Sequence, residues 1–124
     1  MPSQPAVDLD ATVHRVVAAL DADEEPARAD LAAAVRHLAR TLARRAPGRS
    51  VELRVPPYVA VQCVAGPRHT RGTPPNVVET DPVTWLLLAT GRLDWHTALG
   101  DARVRATGGR ADLSAHLPVE DRHE

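Results

Sequence analysis

The connection from Gly66 to Asn76, reading Gly-Pro-Arg-His-Thr-Arg-Gly-Thr-Pro-Pro-Asn, concentrates reactive side chains between turn-forming residues and leads directly into Glu79, Thr80 and Asp81. Guanidinium forks at Arg68 and Arg71 suit a carboxylate or phosphate, and an imidazole at His69 titrates near neutrality. Arg68, His69, Arg71 and Glu79 therefore form the candidate polar site. A connection of this length in a small domain is more often functional or disordered than incidental. The plainer account is a solvated loop whose arginines pair with Glu79 or Asp81. Acid–base chemistry by His69, Arg71 and Glu79 would require them to converge to about 3 Å, directly or through one water.

Other chemistries find little purchase. The six histidines, at positions 14, 37, 69, 96, 116 and 123, include no i, i+4 pair and no His-Glu-x-x-His. No metal site is expected from that spacing. Cys63 has no Cys-x-x-Cys partner, and its strand position predicts a buried, inert thiol. Neither a glycine-rich phosphate loop, a serine nucleophile elbow nor a paired-carboxylate spacing is present. The chain reads as a non-enzyme without a cofactor.

Composition narrows the partners. Fifteen basic residues, all arginine, face sixteen acidic ones, for a formal net charge of −1. The broad positive field that nucleic-acid binding uses is absent, so no nucleic-acid partner is expected. A lone cysteine excludes an intrachain disulfide and points to a reducing compartment. No signal-peptide pattern opens the chain and no apolar run is long enough to span a bilayer. A cytoplasmic protein is expected, and the alanine-rich, lysine-free usage suggests a GC-rich bacterial source.

The elements that would position these residues follow from periodicity. Leu9, Val13, Val16, Val17 and Leu20 recur at helical spacing, with Asp8 and Asp10 at the end where the helix dipole favours anions. Pro26 opens a second helix with Leu31, Val35, Leu38 and Leu42 on one face and Arg28, Arg36, Arg40 and Arg44 on the other. Pro47-Gly48 ends it. The period then shifts to two for a strand over 50–55, and a second strand, antiparallel to the first, is expected over 59–64. A third strand spans 76–80. Asp81 caps a helix with Pro82 first and Gly91 at its end, Asp94 caps a shorter helix to Leu99, a fourth strand spans 103–107, and a last helical turn covers 111–116. The expected fold is α+β, with helices packed on one face of a mostly antiparallel sheet of four to five strands. Residues 1–7 and 119–124 are expected to be flexible ends of a single domain over 8–118.

The order strand, helix, glycine, short helix, strand, glycine over Asn76 to His116 resembles the C-terminal half of the sterol carrier protein family. The corresponding signature reads Asp81, Thr84, Leu88, Gly91, Ala98 and Gly108 in this chain. The chain departs from the family pattern in its long helical N-terminal segment and its short helix after the last strand. The resemblance implies a carrier whose apolar pocket lies between helices and sheet. On that reading Trp85, Leu86 and Leu88 form one wall, and Leu38, Leu42, Val61 and Cys63 the other. Plain core packing of the same residues is the alternative. The implied partner is an apolar small molecule, fatty acyl or sterol-like, bound by a monomer or homodimer. The same region is similar to the C-terminal part of mycothiol-dependent maleylpyruvate isomerases, which implies instead an accessory or protein-interaction domain working through the arginine-rich second helix or the 66–76 loop.

Overall fold

The computed structural model of the protein describes residues 8–67 and 76–120. Helix α1 (Leu9–Asp21) starts where the Asp8 carboxylate accepts the Ala11 N–H at 3.0 Å, and it buries Thr12, Val13, Val16 and Val17. These positions lie three and four apart, so they share one face. Helix α2 (Arg28–Arg45) begins two residues after Pro26, where the Ala27 carbonyl takes the first helical hydrogen bond from Leu31. It buries Ala32, Ala34, Val35, Leu38, Ala39 and Leu42, and an Arg15–Asp30 ion pair at 3.3 Å joins it to α1.

Strands β1 (Val51–Val55) and β2 (Val59–Cys63) form a hairpin, in which the fully buried Leu53 at the centre of β1 is opposed by Val61. Strand β3 (Asn76–Thr80) leads through Asp81 into α3 (Pro82–Ala89), then α4 (Trp95–Gly100) and β4 (Val104–Thr107). A 3-10 turn, Ser114–His116, occupies part of the stretch where a helical turn was expected. The sheet order is β2-β1-β3-β4. The β1–β2 and β3–β4 pairings are antiparallel, and the central β1–β3 pairing is parallel. The expected α+β layering is thus what the chain adopts, and the mostly antiparallel sheet, expected with four to five strands, has four.

Val51, Leu53, Val55, Cys63, Val78 and Val104 point from the sheet into a core shared with both long helices and α3. Glu52, Arg54, Gln62 and Arg105 alternate to the other face. The end of β2 and the end of the packed domain differ from expectation. Strand β2 stops at Cys63 because Val64 adopts a left-handed φ of 66° and turns its N–H to the Ala46 carbonyl at 2.6 Å. Its own carbonyl accepts Ser50 N–H at 3.0 Å. Gly48 lies against this corner with φ 150°, and a Cβ there would collide with the Val64 carbonyl. The packed domain also runs past residue 118. Val119 is 1 % exposed, its carbonyl accepts a hydrogen bond from Arg45, and the N–H groups of Val119 and Glu120 both donate to the Ala89 carbonyl. A valine side chain and three hydrogen bonds tie down a stretch whose polar composition suggested a free end.

Candidate functional site

Helix α3 is apolar nearly all round and is accordingly buried on most of its surface: Thr84, Trp85, Leu86, Leu88 and Ala89 are all inside. Its start is fixed by Asp81, whose carboxylate accepts the Thr84 N–H at 3.0 Å and the Thr84 hydroxyl at 2.6 Å. Arg103 Nε donates to that hydroxyl oxygen at 3.2 Å, tying the helix to the approach of β4. The indole Nε1 of Trp85 donates to the Val35 carbonyl at 3.3 Å. This satisfies the ring's one donor and locks α3 to α2.

Leu38, Leu42, Cys63, Trp85, Leu86 and Leu88, named from sequence as pocket walls, are each no more than 2 % exposed and belong to one contiguous core cluster. Val61 packs half-buried at its margin. Burial pushes the Cys63 thiol up to about 11, because removing water penalises the thiolate. Glu79 lies on the outward side of the sheet, paired in register with Arg54 on β1 and Arg105 on β4. Arg68, His69 and Arg71 lie outside the described residues.

Clefts open at the margins of this core. One of about 390 Å³ is walled by Leu88, Leu93, Trp95, Leu117 and Pro118, with Asp94, His96 and Ser114 beside them. Three separate segments build it. Helix α3 supplies Leu88, the capped start of α4 supplies Trp95, and the C-terminal tail lays Leu117 and Pro118 across from them. Asp94 holds α4 by accepting the Thr97 N–H at 3.2 Å. The tail is held by its two bonds to the Ala89 carbonyl. The turn before it is fixed by Asp112, which accepts the Ser114 N–H at 2.8 Å. Bonding from the Ser114 side chain and then its amide holds the Asp112 carboxyl below its ordinary value.

A second cleft, about 380 Å³, lies between α1, α2 and the same tail, with Leu38 and Val119 at its base and Asp10, His14, His37, Arg44, Arg45 and Glu120 around it. His37 faces Asp10 at 3.6 Å and His14 faces Glu120 at 3.8 Å. A third, about 320 Å³, gathers Glu79, Asp81, Arg103 and Arg105 at one end of the sheet. Among the described residues no group of three or more His, Cys, Asp or Glu side chains is placed to hold a metal ion. No helix among them is long and apolar enough to cross a membrane.

Leu38 and Leu88 thus reach separate clefts, while Leu42, Cys63, Trp85 and Leu86 line none of these three. The cleft beside Leu88 adds Leu93, Trp95, Leu117 and Pro118, which the sequence did not single out as lining residues. The spacing Leu93-x-Trp95 beside a capping aspartate was the visible signal. The opposing wall was not visible, since it comes from a distant segment of the chain.

A search of curated proteins finds no match to the chain. The family model described as Bacterial SCP ortholog, SCP standing for sterol carrier protein, matches residues 27–119. That span takes in α2, all four strands, both short helices and the tail through Val119, and leaves α1 outside. The match covers three quarters of the chain, and the chain belongs to the bacterial SCP ortholog family.

Proposed function

We propose that the protein is a non-enzymatic, cytoplasmic carrier that shelters a lipid-like or acyl ligand. The observation that carries this reading is the cleft of about 390 Å³ walled by Leu88, Leu93, Trp95, Leu117 and Pro118. Its volume falls within the roughly 300–1,000 Å³ of small-molecule sites, and five apolar side chains share its lining with Asp94, His96 and Ser114. Each methylene buried there contributes about 0.8 kcal/mol, so a chain-like apolar ligand gains affinity with length. Family membership supports the same class of ligand.

The two tryptophans report on two locations. Trp95 lines the cleft and Trp85 sits in the layer between α3 and the sheet. Trp85→Phe and Trp95→Phe proteins, each with one emitter, are titrated with fatty acids, acyl-CoA and a sterol. A saturable change in Trp95 emission is the expected result. A change confined to Trp85 places the ligand between the layers, where the sequence first suggested it. Silence of both, with no small molecule retained in native mass spectrometry, ends the carrier reading.

A second reading, an accessory or protein-interaction domain, draws on the close packing of Leu38, Leu42, Cys63, Trp85 and Leu86 where the resemblance implied a pocket. Light scattering separates the two: a monomer that binds apolar ligand supports the carrier, and a dimer without ligand supports the interaction domain.

A further inference from the structure

Strand β2 is an end strand of the sheet, and among the described residues no strand pairs with its outer side. Its sequence, Val-Ala-Val-Gln-Cys, contains neither a charge nor a proline, and Ala60 and Gln62 are exposed. Free edges of this kind are normally guarded by charged side chains, prolines, bulges or shortening, because their unpaired N–H and C=O groups recruit other strands. The opposite edge, β4, is a residue shorter and carries Arg105. The unguarded edge is therefore specific to β2.

Helix α2 runs alongside that strand and is pinned to both of its ends. Arg36 Nε donates to the Tyr58 carbonyl at 3.2 Å, with its guanidinium 5.7 Å from the Tyr58 ring centre, and the Ala46 carbonyl accepts Val64 N–H. Arg36, Arg40 and Arg44, one turn apart and all exposed, form a ridge on its outer face. None of the three is in an ion pair with a carboxylate among the described residues. Repeated like charges at this spacing disfavour a helix unless something neutralises them. On the other side of the sheet Arg54, opposite Ala60, is already satisfied by Glu52 at 2.7 Å.

We propose that β2 and the Arg36–Arg40 ridge form a docking groove for an extended acidic peptide segment of a partner protein. The peptide adds a strand to the β2 edge, and its acidic side chains on the helical side meet the two guanidinium groups. The backbone ladder supplies affinity and the ridge supplies the charge preference. A second copy fits poorly. Two-fold pairing of β2 with itself sets both ridges on the same face beside the seam, arginine against arginine. A lipid surface would leave the strand's backbone groups unused, and the chain's net charge of −1 gives no broad positive field to reinforce the ridge. The groove shares no residue with the Trp95 cleft, so the two sites stand or fall separately.

The test uses the full chain and a labelled peptide of alternating glutamate and valine, with a lysine–valine peptide as control. Anisotropy is expected to show binding of the acidic peptide only, weakened at high salt. Backbone amide shifts are expected along residues 59–63. Arg36→Glu with Arg40→Glu should weaken binding at least about tenfold, and Gln62→Pro should do so through the edge itself. Arg40→Glu alone leaves the Arg36–Tyr58 contact in place, so it keeps the test decisive if the proline variant fails to fold. Equal binding of both peptides, indifference to the arginine changes, binding to phosphatidylserine vesicles with the peptide ignored, or a β2-linked dimer in light scattering would each overturn the proposal.

Discussion

Cys63 closes β2 with its thiol fully buried, and that burial has a measurable alkaline signature. Its ordinary value is 9.0 and burial pushes it up to about 11. Above pH 9 the unfolded chain gives up a proton that the native chain keeps. The stabilisation is therefore complete below the unfolded value and is lost as pH rises through the folded one. The chain has no lysine and one tyrosine, so few other groups titrate in this window. Denaturant midpoints should fall between pH 9 and 11 by the equivalent of about 2–3 kcal/mol. Cys63→Ala, though less stable overall, should lack that part of the slope. A native thiol that reacts with a disulfide reagent at about pH 8 as fast as free cysteine would contradict this account. The buried thiol was legible from its strand position and from the lack of a Cys-x-x-Cys partner. The roles of the tryptophans were only half legible. Trp85 sits on a uniformly apolar helix, which announces burial, whereas Trp95 opens a six-residue helix whose opposing wall, Leu117 and Pro118, no local pattern connects to it.

Helix boundaries were readable wherever a side chain does the capping. Asp81 with Pro82, and Asp94, mark the starts of α3 and α4, and both aspartates accept backbone N–H groups as their positions suggested. Asp81 also holds the Thr84 hydroxyl, which in turn accepts from Arg103. Asp81→Ala should therefore cost about 1–2 kcal/mol in urea unfolding, toward the upper end of the capping range. Asp81→Asn, which keeps an acceptor oxygen, should recover much of it. A loss below a few tenths would mean that the network is not coupled to the cap. Helix α2 was harder to place because Ala27 offers no capping side chain, so Pro26 looked like its first residue. The end of β2 was hidden for a different reason. Val64 takes a left-handed backbone that valine rarely adopts, held by bonds to Ala46 and Ser50 that no pattern within the strand encodes.

For the whole molecule, the helical layer over a mostly antiparallel sheet followed from the alternation of periods, and the glycine-punctuated C-terminal half carried the family. Strand order did not follow. Hairpin pairing of β1 with β2 is local, but the parallel pairing of β1 with β3 depends on where the chain returns after a long connection, which spacing does not encode. The docked tail was missed because Val119 stands alone among polar neighbours, and its anchors, Arg45 and Ala89, lie far back in the chain.

The sheet is accordingly two antiparallel pairs joined along one parallel seam, Val51–Arg54 against Asn76–Glu79, with the covalent link between the pairs running through 64–75. Everything before that link contributes α1, α2 and one pair; everything after it contributes α3, α4 and the other. Most of the core, Leu38 and Leu42 against Trp85 and Leu86, is shared between the two. Such a division favours split-protein complementation. Fragments 1–67 and 76–124, expressed together with a tag on one, should co-purify and recover native tryptophan emission, while each alone stays largely unstructured. Failure to reassociate would mean that the connecting segment does more than join two complementary halves.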